Sequence, residues 1–499
     1  MVEVLVIGAG PSGLFAAVEL ARHGVRPRIV ESTAEPHHQA RATAIQPGTL
    51  EILARAGVSE RILAAAVHLP FARVFDADLT QIAELAFAGA GCRWEFQCSL
   101  PQWRTEQILA ERLAQLGVVV ERGVTARSLQ PHDDRVVVAL ERSDGARETI
   151  ETRYLVGAGG AHSVTRASMA QELMGETYPG TALVADIRAR CRVPRDNSAL
   201  VAAAAGYVLL APLPAERWIT FVGDLDADEL EHLERDTLRE AVAAAIHRRI
   251  TGDIVLDDVA WGALFQMHNR VVPRLAGPRR FLLGDAGHLS SPFGGEGLNS
   301  GLHDAHNLAW KLALVLSGHG RPPLLESFAA ERLAADRHVL EVSDRLHAMA
   351  NAAVTAARTG VRPAPPTPEQ VAAVVRSRSM LDVSYADSPI VGSRMVLGDG
   401  TQGLHPGERY PDWTEPSTTH QLLVSGAADE PSLARLRHRW RALVDVVHTA
   451  VPGPPASSAV LVRPDGHIAF ASRPADAAGV AAIDAHLNSY LVSDPVRGG

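Results

Sequence analysis

The residues best placed to do chemistry lie between Arg280 and Leu312, where the chain reads RFLLGDAGHLSSPFGGEGLNSGLHDAHNLAWKL. Phe281, Leu282 and Leu283 form a short apolar run that breaks at Gly284 and Asp285, as a buried strand does when it delivers a carboxylate to its carboxyl end. Pro292, Gly294, Gly295, Gly297, Leu298 and Asn299 follow, then the helical spacing of Leu302, Ala305, Ala309 and Leu312. A backbone without side chains just ahead of a helix lets a ligand approach free N–H groups and the positive end of the helix dipole. An electron-rich ligand suits such a place.

A second glycine cluster opens the chain. Val2 to Ile7 reads as a buried strand, Gly8-Ala9-Gly10-Pro11-Ser12-Gly13 as a turn, and Leu14 to His23 as a helix with Leu14, Ala17, Val18 and Ala21 on one face. Arg28 to Val30 is the next strand and ends in Glu31, 18 positions after Gly13. This is a complete βαβ dinucleotide fingerprint, with glycines for the turn and for close phosphate approach and an acid for a ribose hydroxyl. By itself it is compatible with NAD or FAD.

Composition narrows the setting. The 499 residues are 46% hydrophobic and 21% charged, with mean hydropathy near zero, which suits an enzyme of two to four domains. A net charge of -9 lacks the basicity of a nucleic-acid binder. Cys92, Cys98 and Cys191 form no CxxC and no zinc spacing, so neither a disulfide framework nor a metal site is expected, and a cytoplasmic setting fits. The apolar N-terminus is broken by Gly8, Gly10, Pro11 and Gly13, and no run is long enough for a membrane span.

The Arg280–Leu312 stretch resembles the second flavin-binding motif of the FAD-dependent aromatic hydroxylases, the family of phenol, para-hydroxybenzoate and polyketide hydroxylases. It departs at Gly287, where Ala is usual, and at Glu296, where Gln is common. The resemblance implies FAD, held without a covalent bond, at Gly8, Gly10, Ser12, Gly13, Glu31, Asp285, Pro292, Gly295, Gly297, Leu298 and Asn299. It adds Arg41 near the flavin, Gln102 on the flavin's sugar chain, and the backbone of Val124 for the adenine. Tyr154 to Arg166 resembles the family's third motif, with Gly159 standing where the family has Asp. The implied reaction is hydroxylation of a phenolic or polycyclic aromatic substrate with O2 and NAD(P)H, through a flavin hydroperoxide. No catalytic side chain is assigned. The missing carboxylate at Gly159 keeps a second reading open: an FAD oxidase or a non-redox flavoprotein with poor NAD(P)H use.

The expected architecture is α/β. Residues 1–175 and 275–397 form a Rossmann-like FAD-binding domain with long helices, Leu324 to Arg332 and on to about Ala357. Residues 176–274 form an inserted sheet module that covers the substrate, with a helical stretch from Asp226 to Arg248. Trp218, Phe221, Trp261, Phe265 and Met267 are candidates for its pocket. Residues 398–499 resemble the family's thioredoxin-like appendage, with a strand at Gln421 to Val424, a helix near Leu433 to Val451, and two strands joined by Pro464-Asp465-Gly466. Having no cysteine, this appendage cannot do dithiol chemistry.

Overall fold

The computed structural model describes residues 1–39, 42–235, 237–361, 367–392, 404–411, 417–448 and 457–494, so Arg41 and the boundary expected at 398 lie outside the described residues. Strands Val120–Arg122, Arg28–Glu31, Val2–Ile7, Arg147–Gly157 and Arg280–Leu282 lie side by side and parallel. Val4, Leu5, Val6, Leu155 and Val156 have no exposure, as strands covered on both faces require. Val124–Pro131 and Val136–Arg142 add an antiparallel meander onto the edge of Arg147–Gly157.

Register explains why motifs far apart in sequence meet. Ile7 sits opposite Gly157, and Gly157 opposite Leu282. The segments that leave these three strands, at Gly8, Ala158 and Leu283, therefore emerge along one edge, where ligands of open parallel sheets bind. Helices Pro11–Arg22 and Gly297–Leu316 start from that edge and pack together, with His306 Nδ1 2.9 Å from Glu19 Oε2 between them.

The covering sheet has the order Ile254–Phe265, Ala182–Cys191, Arg217–Val222, Gly206–Leu213, Asn197–Ala203, Phe71–Phe75, Gln81–Ala86. Its last two strands come from well before residue 176. Phe71–Phe75 pairs in parallel with Asn197–Ala203, a partnership across a long sequence gap that no local pattern announces. The expected helical stretch is two helices, Ala227–Arg235 and Leu238–His247. Pro322–Thr359 is one unbroken helix of 38 residues, stopped by Gly360 at φ 73°. At a rise of 1.5 Å per residue it is about 57 Å long, enough to touch both the sheet module and the C-terminal unit.

The C-terminal sheet runs Val444–His448, His420–Ser425, Ser458–Val462, Ile468–Ser472, with helices Glu430–Arg439 and Ala477–Tyr490. The helix expected from Leu433 to Val451 is shorter, and residues 449–451 lie outside the described residues. It ends at Arg439, buries Trp440 completely, and gives way to a strand parallel to His420–Ser425. Val444, Val446 and Val447 are β-branched and favour the pleated strand over helix continuation.

A buried charge network fastens this unit to the FAD-binding part. Arg463 donates to both oxygens of Glu331 at 2.7 and 2.9 Å, and Lys311 Nζ donates to Glu331 at 2.7 Å. Asp465 pairs with Arg463 and accepts from Trp310 Nε1 at 3.1 Å.

Candidate active site

One cavity of about 1570 Å³ opens along the shared edge. It is lined by Gly10, Pro11 and Ser12, by Gly159, Asp285 and Pro292 to Leu298, and by the covering sheet. Gly10 caps the first helix without a side-chain bond, and a Cβ there would meet nothing within 4 Å. Gly13 is needed for a different reason: its Cβ would stand 2.0 Å from the Gly8 carbonyl oxygen. The result is a bare helix N-terminus facing open space, suited to a phosphate.

Glu31 ends the second strand and accepts the Ala9 N–H at 2.8 Å and the Thr33 N–H at 2.9 Å. Burial alone would raise its pKa. The donors from Ala9, Thr33 and Ser32 outweigh that and hold the carboxyl below its ordinary value.

The second helix N-terminus faces the same cavity. Gly295 has φ 67°, and a Cβ on it would come 2.6 Å from Ala44 Cβ. Asn299, fully buried, ties the loop: its Nδ2 donates to Ala44 O at 2.9 Å and Gly295 O at 2.7 Å, and its Oδ1 accepts the Gln46 N–H at 2.9 Å. Asp285 is open to the cavity yet enclosed by its walls, and that desolvation raises its pKa.

Beneath the loop, His288 Nε2 lies 2.9 Å from Asp304, and Arg332 bridges Asp304 at 2.8 Å and Asp336 at 3.0 Å. His288, Asp304 and Asp336 have the types and spacing of metal ligands. Burial pulls His288 down, but Asp336 and Asp304 lift its pKa to about 9. Burial opposes the charge on both acids: Arg332 and His288 hold Asp304 low, whereas burial and the neighbouring Asp304 raise Asp336.

Of the residues singled out from the sequence, Gly10, Ser12, Gln102, Asp285, Pro292, Gly295, Gly297 and Leu298 line the cavity. Gly8 and Gly13 shape the turn behind it. Gln102 opens the helix Gln102–Gln115, its amide donating to Glu106 at 2.8 Å. Val124 is 1% exposed among Leu5, Val30 and Val138, so its side chain is core. Phe221, Trp261 and Phe265 line the cavity, whereas Trp218 and Met267 are buried away from it. Two walls went unrecognised: Arg73, Glu84 and Leu85 from the early strands, and Leu346, Met349, Val371 and Arg378 from the long helix and the helix Pro368–Arg378. The Thr367/Gln370 capping box marks that last helix and was readable in the sequence.

Residues 1–343 match the family model described as an FAD binding domain, and residues 405–491 the one described as aromatic-ring hydroxylase, C-terminal. The chain belongs to the FAD-dependent aromatic-ring hydroxylases. A 6-methylpretetramide 4-monooxygenase of Streptomyces rimosus is 32% identical over 94% of this chain and 90% of its own. The structure of an anhydrotetracycline hydroxylase from Streptomyces rimosus superposes with a TM-score of 0.76 at 28% identity, covering 99% of each chain. A Diels-Alderase from the pyrroindomycin pathway shares the fold, with a TM-score of 0.73 at 23% identity over 98% of this chain and 99% of its own.

The cavity fits FAD on its own evidence. Two helix N-termini and the side-chain-free Gly159 and Gly160 face one continuous space. Among the described residues that line it, the only histidine is His162 and there is no cysteine, so the walls offer little for a covalent link. Bound there, FAD would supply two-electron chemistry, and the two glycine-rich helix starts are the residues that would hold it. Among the described residues, no helix is long and apolar enough to cross a membrane.

Glu296, the acid inside the glycine loop, is 1% exposed and neither carboxyl oxygen has a hydrogen-bond partner. Burial pushes its pKa from 4.5 up to about 8, opposed by Arg378, reinforced by Asp382 and opposed by Arg345. The folded protein therefore keeps a proton that the unfolded chain releases near 4.5, so this group's contribution to stability is intact below that value and is lost as pH rises toward 8. Glu296→Gln should gain stability relative to wild type across that window, on the order of a few kcal/mol at its upper end. Denaturant melts of both proteins at several pH values check this; a constant difference would contradict it.

Proposed function

We propose that this hydroxylase acts on a flat polycyclic aromatic compound bearing phenolic oxygen, using O2 and NAD(P)H. One observation supports the substrate class above others. The cavity, about 1570 Å³, exceeds the roughly 300–1,000 Å³ of a single small-molecule pocket. Beyond the glycine cradle it continues between Val184, Leu209, Ile219, Phe221 and Trp261 on the sheet and Leu346, Met349 and Ala353 on the long helix. Such a slot accepts a multi-ring substrate beside the cofactor and keeps water off the reacting atoms. The tetracycline-type names of the two Streptomyces rimosus relatives point the same way.

The second reading, a flavoprotein with poor nicotinamide use, is motivated by Gly159 and by the Diels-Alderase on the same fold. Stopped-flow flavin reduction with NADH and NADPH across a panel of phenolic aromatics separates them: reduction that quickens with a polycyclic phenol supports hydroxylation, and negligible reduction by either donor supports the alternative.

Gly159 has φ −80°, and a Cβ there would stand 3.7 Å from Ser163 Cα, ordinary contact. Gly159→Asp should therefore fold, retain FAD and be reduced at least as fast as wild type. Loss of flavin from the variant, read by absorbance, would show that the position tolerates no side chain.

A further inference from the structure

Glu296 caps the helix Gly297–Leu316 directly after Gly294 and Gly295. A Cβ built on Gly294 would stand 3.1 Å from both Glu296 Cδ and Oε1, so the carboxyl lies over the glycine loop itself. It is 1% exposed and both its oxygens are unpartnered. Three charged groups face it: Arg345 from the long helix, Arg378 from the helix Pro368–Arg378, and Asp382 just beyond. Neither arginine closes an ion pair with it among the described residues; the Arg378 guanidinium lies instead 5.7 Å from the centre of the Phe87 ring.

A helix N-terminus stabilises negative charge, and this one lines the cavity that fits FAD, whose reduced ring is anionic. Two like charges in one desolvated place oppose each other's ionisation. We infer that Glu296 and the flavin ring share a single negative charge: reduction of FAD drives a proton onto Glu296, and ionised Glu296 makes FAD harder to reduce. Reduction gives FAD two electrons and one proton, from a nicotinamide-class hydride donor in turnover or from an electrode and solvent in the test. The ring keeps one negative charge. A second proton passes from solvent to Glu296 wherever its carboxylate was ionised beforehand. The coupling is reciprocal, and it holds whatever the substrate is.

The test is spectroelectrochemical titration of wild type and Glu296→Gln holoenzyme between about pH 7 and about pH 9, the span around the acid's folded-state titration. The wild-type midpoint potential should fall more steeply with pH. The two curves should diverge by a tenfold change in the reduced-to-oxidised ratio, about 30 mV for two electrons. Parallel curves would overturn the inference. Reduced-minus-oxidised infrared spectra of wild type near the upper pH should gain the carbonyl band of a protonated carboxyl; its absence would overturn the inference too, without relying on a variant.

Discussion

Glu331→Leu should lower stability by about 3–5 kcal/mol, because it leaves Lys311 buried without a carboxylate partner and Arg463 with Asp465 alone. Glu331 is 2% exposed and accepts from Arg463, Lys311, Asn307 and Ser388. Burial opposes its charge, but Arg463 and Lys311 hold its pKa far below the ordinary range. The glutamate comes from the long helix and Arg463 from the C-terminal sheet, so the loss falls on the junction between the two units. Thermal melts followed by flavin release and by far-UV dichroism should both shift downward. Adding Arg463→Met should recover part of the loss, since Lys311 and Asp465 then balance each other in place of two cations facing one carboxylate. Unchanged melting in Glu331→Leu would mean the network contributes no net stability.

Gly295→Leu should cost FAD binding a hundredfold or more, roughly 3 kcal/mol. Two penalties combine. A side chain at φ 67° costs about 1–2 kcal/mol, and the Cβ would meet Ala44 Cβ at 2.6 Å, forcing apart the loop that Asn299 ties down. Flavin fluorescence quenching measures the effect, with dichroism to show an intact fold. Wild-type affinity in this variant would remove the glycine loop from the flavin site.

What the sequence made readable follows the range of the physics. Gly8 to Gly13, Glu31 and Asp285 to Asn299 are local patterns, in which turn, strand end and helix start lie within a few residues of one another, and the structure brings them to one edge of one sheet. Periodicity failed where two elements shared an apolar character: Val444 to Val447 read as helix continuation, and only pairing with His420–Ser425 makes it a strand. It also failed across distance, since nothing near Phe71 says that it will pair beside Asn197. Glu296 was visible as a departure from the family pattern, but its burial and missing partners depend on Arg345, Arg378 and Asp382 arriving from elsewhere. Arg41 lies outside the described residues.

We propose that this chain inserts one oxygen atom from O2 into a polycyclic phenol. The most direct measurement is mass spectrometry of the product formed by FAD-loaded enzyme, NAD(P)H and a tetracyclic phenol under oxygen-18 gas. The expected product carries one labelled oxygen on the ring system, with nicotinamide consumed in step. Nicotinamide consumption that yields only labelled hydrogen peroxide, or a product without label, would contradict it.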